Sequence, residues 1–177
     1  PVKTYELNSA LKVDCEDIHK VDAESLPDFD VMLAGFPCQS FSVAGKQAGF
    51  NDEKGRGTLF FELVRILKVK KPAVVFLENV KNLVSHDKGN TFKVILDELH
   101  SLGYKVRKEV LNAKDYGDVP QNRERIYIVG FLDENACNRF EFPKQIPLTK
   151  ELSDIIDFTN KKDDKYYYTQ GKYKGDI

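Results

Sequence analysis

Tryptophan is missing from this chain, methionine occurs once, and there are only three cysteines. Cys15, Cys38 and Cys137 stand at unrelated spacings with no CxxC pair, which argues against a disulfide framework and against a cysteine zinc site. His19, His86 and His100 are equally scattered and read as ordinary surface or partly buried side chains, so no metal is expected. Charge of one sign is also in short supply. A net charge of −1 gives no overall basic field, so any contact with nucleic acid must come from a local patch or another segment. No apolar run approaches the length of a membrane span, and the N-terminal residues lack the basic start and apolar stretch of a signal peptide. A cytoplasmic location with no membrane partner is the expectation.

What is present is the composition of a globular protein: 177 residues, 41% hydrophobic and 31% charged. That length suits one domain with a sizeable core. Asp30–Gly35 and Ala73–Glu78 are short, nearly continuous apolar runs and predict buried strands of a parallel sheet. Between them Leu59, Phe60, Leu63, Ile66 and Leu67 recur on one helical face, and Pro72 stops the helix. A second helix is marked by Phe92, Ile95, Leu96, Leu99 and Leu102, with Asn90 as its expected N-cap and Gly103 as its stop. Tyr104–Leu111 and Arg125–Phe131 read as two further strands. The sum is an open α/β sheet, whose ligands are expected beyond the carboxyl ends of the strands.

Two segments meet that rule: the one after Gly35 and the one beginning at Glu78. Residues 36–57 show no helical or alternating pattern and carry Gly45, Gly49, Gly55 and Gly57, as a mobile lid or binding loop would. Within Gly35-Phe36-Pro37-Cys38-Gln39-Ser40-Phe41-Ser42, a cysteine sits at a strand mouth on a turn stiffened by proline. Taken alone, Cys38 fits a nucleophile and a small buried hydrophobe about equally. Leu77-Glu78-Asn79-Val80 places a carboxylate and an amide at the end of the neighbouring strand. In such a crevice a carboxyl group can be kept protonated as a donor or acid, although a simple cap by Glu78 or Asn79 fits as well. Pro120-Gln121-Asn122-Arg123-Glu124-Arg125 opens a strand with two arginines one residue apart, which alternation would set on one face. A solvated edge is the plainer reading of that pair. The ordered set says more than any one motif.

The succession GFPCQSFSVAGKQAGF, RGTLFFEL, VVFLENVKNL and YGDVPQNRERIYIVGF resembles the central motifs of the DNA cytosine-5 methyltransferases, close to the small bacterial restriction-modification enzymes. The resemblance covers roughly Val13 to Phe142. It implies a Rossmann-like methyltransferase core in which Cys38 adds to C6 of a cytosine flipped out of the duplex. Glu78 would hold N3 and the exocyclic amine, Arg125 would contact O2, and Arg123 would support the site. The methyl group would come from S-adenosylmethionine. Asp17, Phe36, Pro37 and Leu59 are implied in the methyl-donor pocket, and Gln39, Ser40, Ser42 and Arg56 in the loop that closes on double-stranded DNA.

The family's opening strand and Phe-x-Gly-x-Gly turn have no counterpart here, and neither do its recognition domain and last two motifs. The expectation is therefore a partial catalytic domain over 1–142 and a peripheral segment over 143–177, incomplete at both ends. Such a chain is expected to be inactive alone, to bind the donor weakly and to expose a sheet edge beside the Asp30 strand. A non-catalytic relic that binds a complementary subunit, or an RNA-acting cousin, are the alternatives. Asp118 reads as a one-residue insertion before Pro120, without obvious effect on the arginines.

Overall fold

The computed structural model describes residues 2–37 and 59–160. They fall into two compact units, one formed by residues up to Leu111 with Glu124–Pro143, the other by Asn112–Arg123 with the chain from Lys144 onward. The expected lid from Cys38 on, with Gln39, Ser40, Ser42 and Arg56, and the charged tail from Lys161 lie outside the described residues. Among the described residues no helix is long and apolar enough to cross a membrane, and no cluster of ligating side chains could hold a metal.

In the larger unit, helix α1 (Val2–Ser9) precedes strand β1 (Val31–Gly35), helix α2 (Leu59–Lys70), strand β2 (Val74–Val80), helix α3 (Asn90–Ser101) and strand β3 (Lys105–Asn112). After the short helix α4 (Ala113–Tyr116) of the smaller unit come strand β4 (Glu124–Phe131) and helix α5 (Glu134–Arg139). The four strands form one sheet in the order β1-β2-β4-β3. β1 and β2 run parallel, as a crossover through α2 requires, whereas β2 and β4 are antiparallel, so the sheet is mixed.

Alternation along β2 assigns the two faces. Val75, Leu77 and Asn79 are buried and pair with Gly130, Ile128 and Ile126 of β4. This face packs on α2 and α3 through Phe60, Leu63, Leu67, Phe92, Ile95 and Leu99. Each such fully buried apolar side chain stabilises by roughly 1.5–3 kcal/mol. Val74 and Phe76 point the other way, into a smaller cluster with Val129, Phe131, Cys137, Phe140 and Phe142. β1 departs from its expected burial: Met32 joins the main core, but Leu33 is 74% exposed and Val31 50%. Among the described residues β1 pairs on one side only, which makes it a sheet edge.

The helix stops follow the sequence. Lys71 takes a left-handed φ of 44° and Pro72 follows it. Gly103, at φ 93°, donates to the His100 carbonyl while Tyr104 N–H reaches back to Leu99, the paired bonds of a Schellman ending. The expected N-cap of α3 is displaced by one residue. Asn90 already has helical angles, and Gly89, at φ 87°, takes the cap position after Asp87 and Lys88, both left-handed. A cap must be non-helical, and Asn90 is not.

Tyr104 locks the end of α3 to the start of β2. Its ring is 1% exposed and its hydroxyl donates to the Pro72 carbonyl at 2.8 Å. Burial pushes its pKa from 10.0 up to about 12. The contribution of this group is therefore intact below pH 10 and lost as pH rises from 10 towards 12, because the unfolded chain releases the proton first. Tyr104→Phe should abolish that alkaline loss and cost about 1–2 kcal/mol near neutrality, by stranding the Pro72 carbonyl. Urea titrations of both proteins at pH 7 and pH 11 measure the two effects.

Candidate active site

β2 ends at a place where its two faces diverge in chemistry. Glu78 lies opposite Tyr127 and pairs across β1 with Gly35, while Asn79, the next residue, turns into the core. The Glu78 carboxylate lies beside Gly35, where a Cβ would meet Oε2 at 3.4 Å. The register sets Arg125 opposite Val80, on the same face as Glu78 and one diagonal step away. Its Nε donates to Glu78 Oε1 at 2.9 Å, with the side chains 19% and 36% exposed. Arg125 Nη1 also donates to the Glu124 carbonyl at 2.8 Å. Lys81 Nζ meets Glu124 Oε1 at 2.8 Å and completes a ladder of charges across the β2–β4 seam. A carboxylate and a guanidinium fixed side by side and half open to solvent can read a planar group that carries both N–H donors and a carbonyl.

Asn79 is 3% exposed and uses both ends of its amide. Its Nδ2 donates to the Phe36 carbonyl at 2.7 Å, and its Oδ1 accepts from Val80 N–H at 2.8 Å. It thereby ties the exit of β1, which leads to Pro37, to the end of β2. Phe36 itself is buried against Phe60, with ring centroids 5.4 Å apart. Sequence reasoning left Asn79 as a strand-end amide. Alternation from Val75 and Leu77 would have placed it inside, where an amide must find partners.

Of the residues expected at a donor pocket, Leu59 belongs to α2, Phe36 packs on it, and the turn capped by Asp17 is tied to it. Leu59 opens α2 and is half-buried, Phe36 packs on Phe60, and Pro37 is exposed. Asp17 caps the 3-10 turn Ile18–Lys20, which α2 holds through Arg65 Nη2 donating to the Ile18 carbonyl at 2.9 Å. The Asp17 Oδ1 accepts from His19 Nδ1 at 2.7 Å and from His19 N–H at 3.0 Å. Those two bonds, the side-chain one first, hold its carboxyl below the usual range. It is thus an anionic acceptor at the surface, of the kind that fits a hydroxyl or amino group of a ligand.

Arg123 does not follow the strand argument made for it. β4 begins at Glu124, so alternation along the strand does not extend to Arg123. It lies in the smaller unit, where its N–H donates to Asn112 Oδ1 at 3.0 Å and its carbonyl accepts from Ala113 N–H at 3.1 Å.

The model of the C-5 cytosine-specific DNA methylase family matches residues 1–177. The Type II methyltransferase M.Bsp6I of Bacillus sp. (strain RFL6) is 56% identical over 96% of this chain and 53% of its own length. M.HaeII of Haemophilus aegyptius is 53% identical over 92% of this chain and 49% of its length. The chain thus spans about half the length of these curated relatives. Among solved structures, Spodoptera frugiperda DNMT2 superposes with a TM-score of 0.57 at 23% identity, covering 75% of this chain and 39% of that one, which shows a shared Rossmann-like methyltransferase fold. The chain belongs to the C-5 cytosine-specific DNA methylase family.

Proposed function

We propose that this chain supplies the catalytic part of an enzyme that transfers a methyl group to C5 of cytosine in double-stranded DNA, in a restriction-modification setting. One observation carries the reading: the Glu78–Arg125 pair at the mouth of β2, set beside Gly35 and the turn that leads to Cys38. A cytosine presents an exocyclic amine to a carboxyl oxygen of Glu78, N3 to the proton of that carboxyl group, and O2 to the guanidinium, which suits that pair. S-adenosylmethionine, when bound, supplies an electrophilic methyl group.

Cytosine C5 is a poor nucleophile until a thiolate adds at C6. Cys38 forms the S–C6 bond, the electron pair displaced onto N3 takes the proton of Glu78 acting as a carboxylic acid, and Arg125 donates to O2. C5 then takes the methyl group. Water removes the C5 proton, the C–H electron pair restores the C5–C6 double bond as Cys38 leaves as thiolate, and the N3 proton returns to Glu78. Arg123 supports the site, and Gln39, Ser40, Ser42 and Arg56 contact DNA. Asp17 accepts from the hydroxyl or amino groups of the donor, and Phe36, Pro37 and Leu59 form the apolar wall. The chain spans about half the length of the curated relatives it matches.

The test is methyl transfer by the chain completed to the length of its relatives, using donor labelled in the methyl group and DNA or RNA as acceptor. Label recovered as 5-methylcytosine in DNA is expected. Label in RNA alone, or on another atom of the base, would overturn the proposal.

A further inference from the structure

The smaller unit contains a loop closed at its base. Asn112 Nδ2 donates to Asn122 Oδ1 at 2.7 Å, and Asn112 Oδ1 accepts from Arg123 N–H at 3.0 Å. Residues 112–123 therefore form a compact loop with its ends tied together, of the Ω type. At its far side stands Asp118, with a left-handed φ of 48°. Its Oδ1 accepts from the N–H groups of Thr149 at 2.6 Å and Lys150 at 3.2 Å, and its Oδ2 accepts from the Thr149 hydroxyl at 2.8 Å. Ile146 N–H donates to the Asp115 carbonyl at 2.9 Å, a second tie between the same two stretches. A residue that reads from sequence as an insertion without consequence thus accepts three hydrogen bonds from residues 31 and 32 positions away along the chain.

We propose that Asp118 is a positioning residue, which clamps the Pro120–Arg123 turn to the Ile146–Lys150 segment and so holds Arg123 in place. The inference rests on the reading of Arg123 as a support for the base site. Asp118 touches no reacting atom. It acts by fixing the far side of a loop whose base Asn112 already fixes, so that the turn between Asp118 and Arg123 is restrained from both ends. The left-handed backbone matters as well: aspartate, asparagine and glycine adopt it readily, other residues do not.

Amide hydrogen exchange on the 177-residue chain tests the clamp without any need for activity. Asp118→Gly keeps the backbone conformation and removes the acceptor. It should speed exchange at Thr149, Lys150 and Arg123 by roughly tenfold, the loss of about one net hydrogen bond. Asp118→Asn keeps an acceptor oxygen and tolerates the φ, and should leave all three amides near their original rates. The Thr149 N–H first, and its hydroxyl second, hold the Asp118 carboxyl below the ordinary 3.8. Protection should therefore persist through that pH and fail only below it in the original chain, and be insensitive to acid in Asp118→Asn. In the completed enzyme Asp118→Gly should lower kcat several-fold with KM for the donor unchanged, and Asp118→Asn should restore it. Unchanged exchange at Arg123 in Asp118→Gly would overturn the positioning role. An inactive completed enzyme with the predicted exchange pattern would count against the methyltransferase reading and leave the clamp standing.

Discussion

Glu78→Gln in the completed enzyme is expected to lower kcat by about 10²–10³-fold with little change in KM for the methyl donor, as removal of one charge-stabilising group from a preorganised site does. The substitution keeps size and shape. It removes the ion pair with Arg125 Nε and replaces a carboxyl group that can deliver a proton to N3 with an amide that presents one oxygen and one NH₂ group. If the NH₂ end faces N3 it offers a donor with no transferable proton. The effect should fall on kcat, because the charge that Glu78 answers builds on the ring only once Cys38 has added. Gly35 supplies an independent check, since Gly35→Ala would bring a methyl group to 3.4 Å from Glu78 Oε2 and crowd the place where the base edge must enter. Rapid-quench measurement of single-turnover methyl transfer would separate these effects from product release. A Glu78→Gln enzyme within threefold of the original rate would remove Glu78 from the chemistry.

Cys38→Ala should be the most damaging change in the chain, reducing methyl transfer below detection, a loss of at least about 10⁴-fold. No other residue can substitute. Cys137 is the buried residue of α5, in the second core cluster, and Cys15 is exposed in the stretch before the Ile18–Lys20 turn. The chain that leads to Cys38 is held at Phe36 and Pro37. Asn79 holds the Phe36 carbonyl two residues before Cys38, Phe36 is anchored on Phe60, and Pro37 restricts the intervening backbone. Binding of DNA and donor should survive the substitution, so gel-shift titration of the same variant would distinguish loss of the nucleophile from loss of the fold. Cys15→Ala and Cys137→Ala should retain turnover.

Much of this was legible in the sequence because it follows from periodicity and punctuation. The runs at Asp30–Gly35 and Ala73–Glu78, the apolar face from Leu59 to Leu67, Pro72 and Gly103 all mark elements that the structure contains. Alternation also set Glu78 at a strand end, and the charge pair with Arg125 was within reach of a register argument. What the sequence concealed was tertiary in origin. The exposure of Leu33 depends on which strands flank β1, and no local pattern reports that. Whether Arg123 belongs to β4 depends on where pairing with β2 begins, which is at Arg125 opposite Val80. The cap of α3 fell on Gly89 because three successive left-handed residues carry the chain into the helix, a path set by the turn above it. The bonds of Asp118 were concealed for the same reason. Its partners, Thr149 and Lys150, lie 31 and 32 residues away along the chain, beyond any local signal.

The central claim is that Cys38 bonds to C6 of the target cytosine. The most direct measurement incubates the completed enzyme and methyl donor with duplex DNA carrying 5-fluorocytosine at the target position. Fluorine in place of the C5 proton blocks the final elimination, so a covalent protein–DNA complex should accumulate and survive denaturation. Proteolysis and mass spectrometry should then recover the modified base on the peptide that contains Cys38, with none formed by Cys38→Ala. An adduct mapped to another residue, or one formed undiminished by Cys38→Ala, would contradict the account.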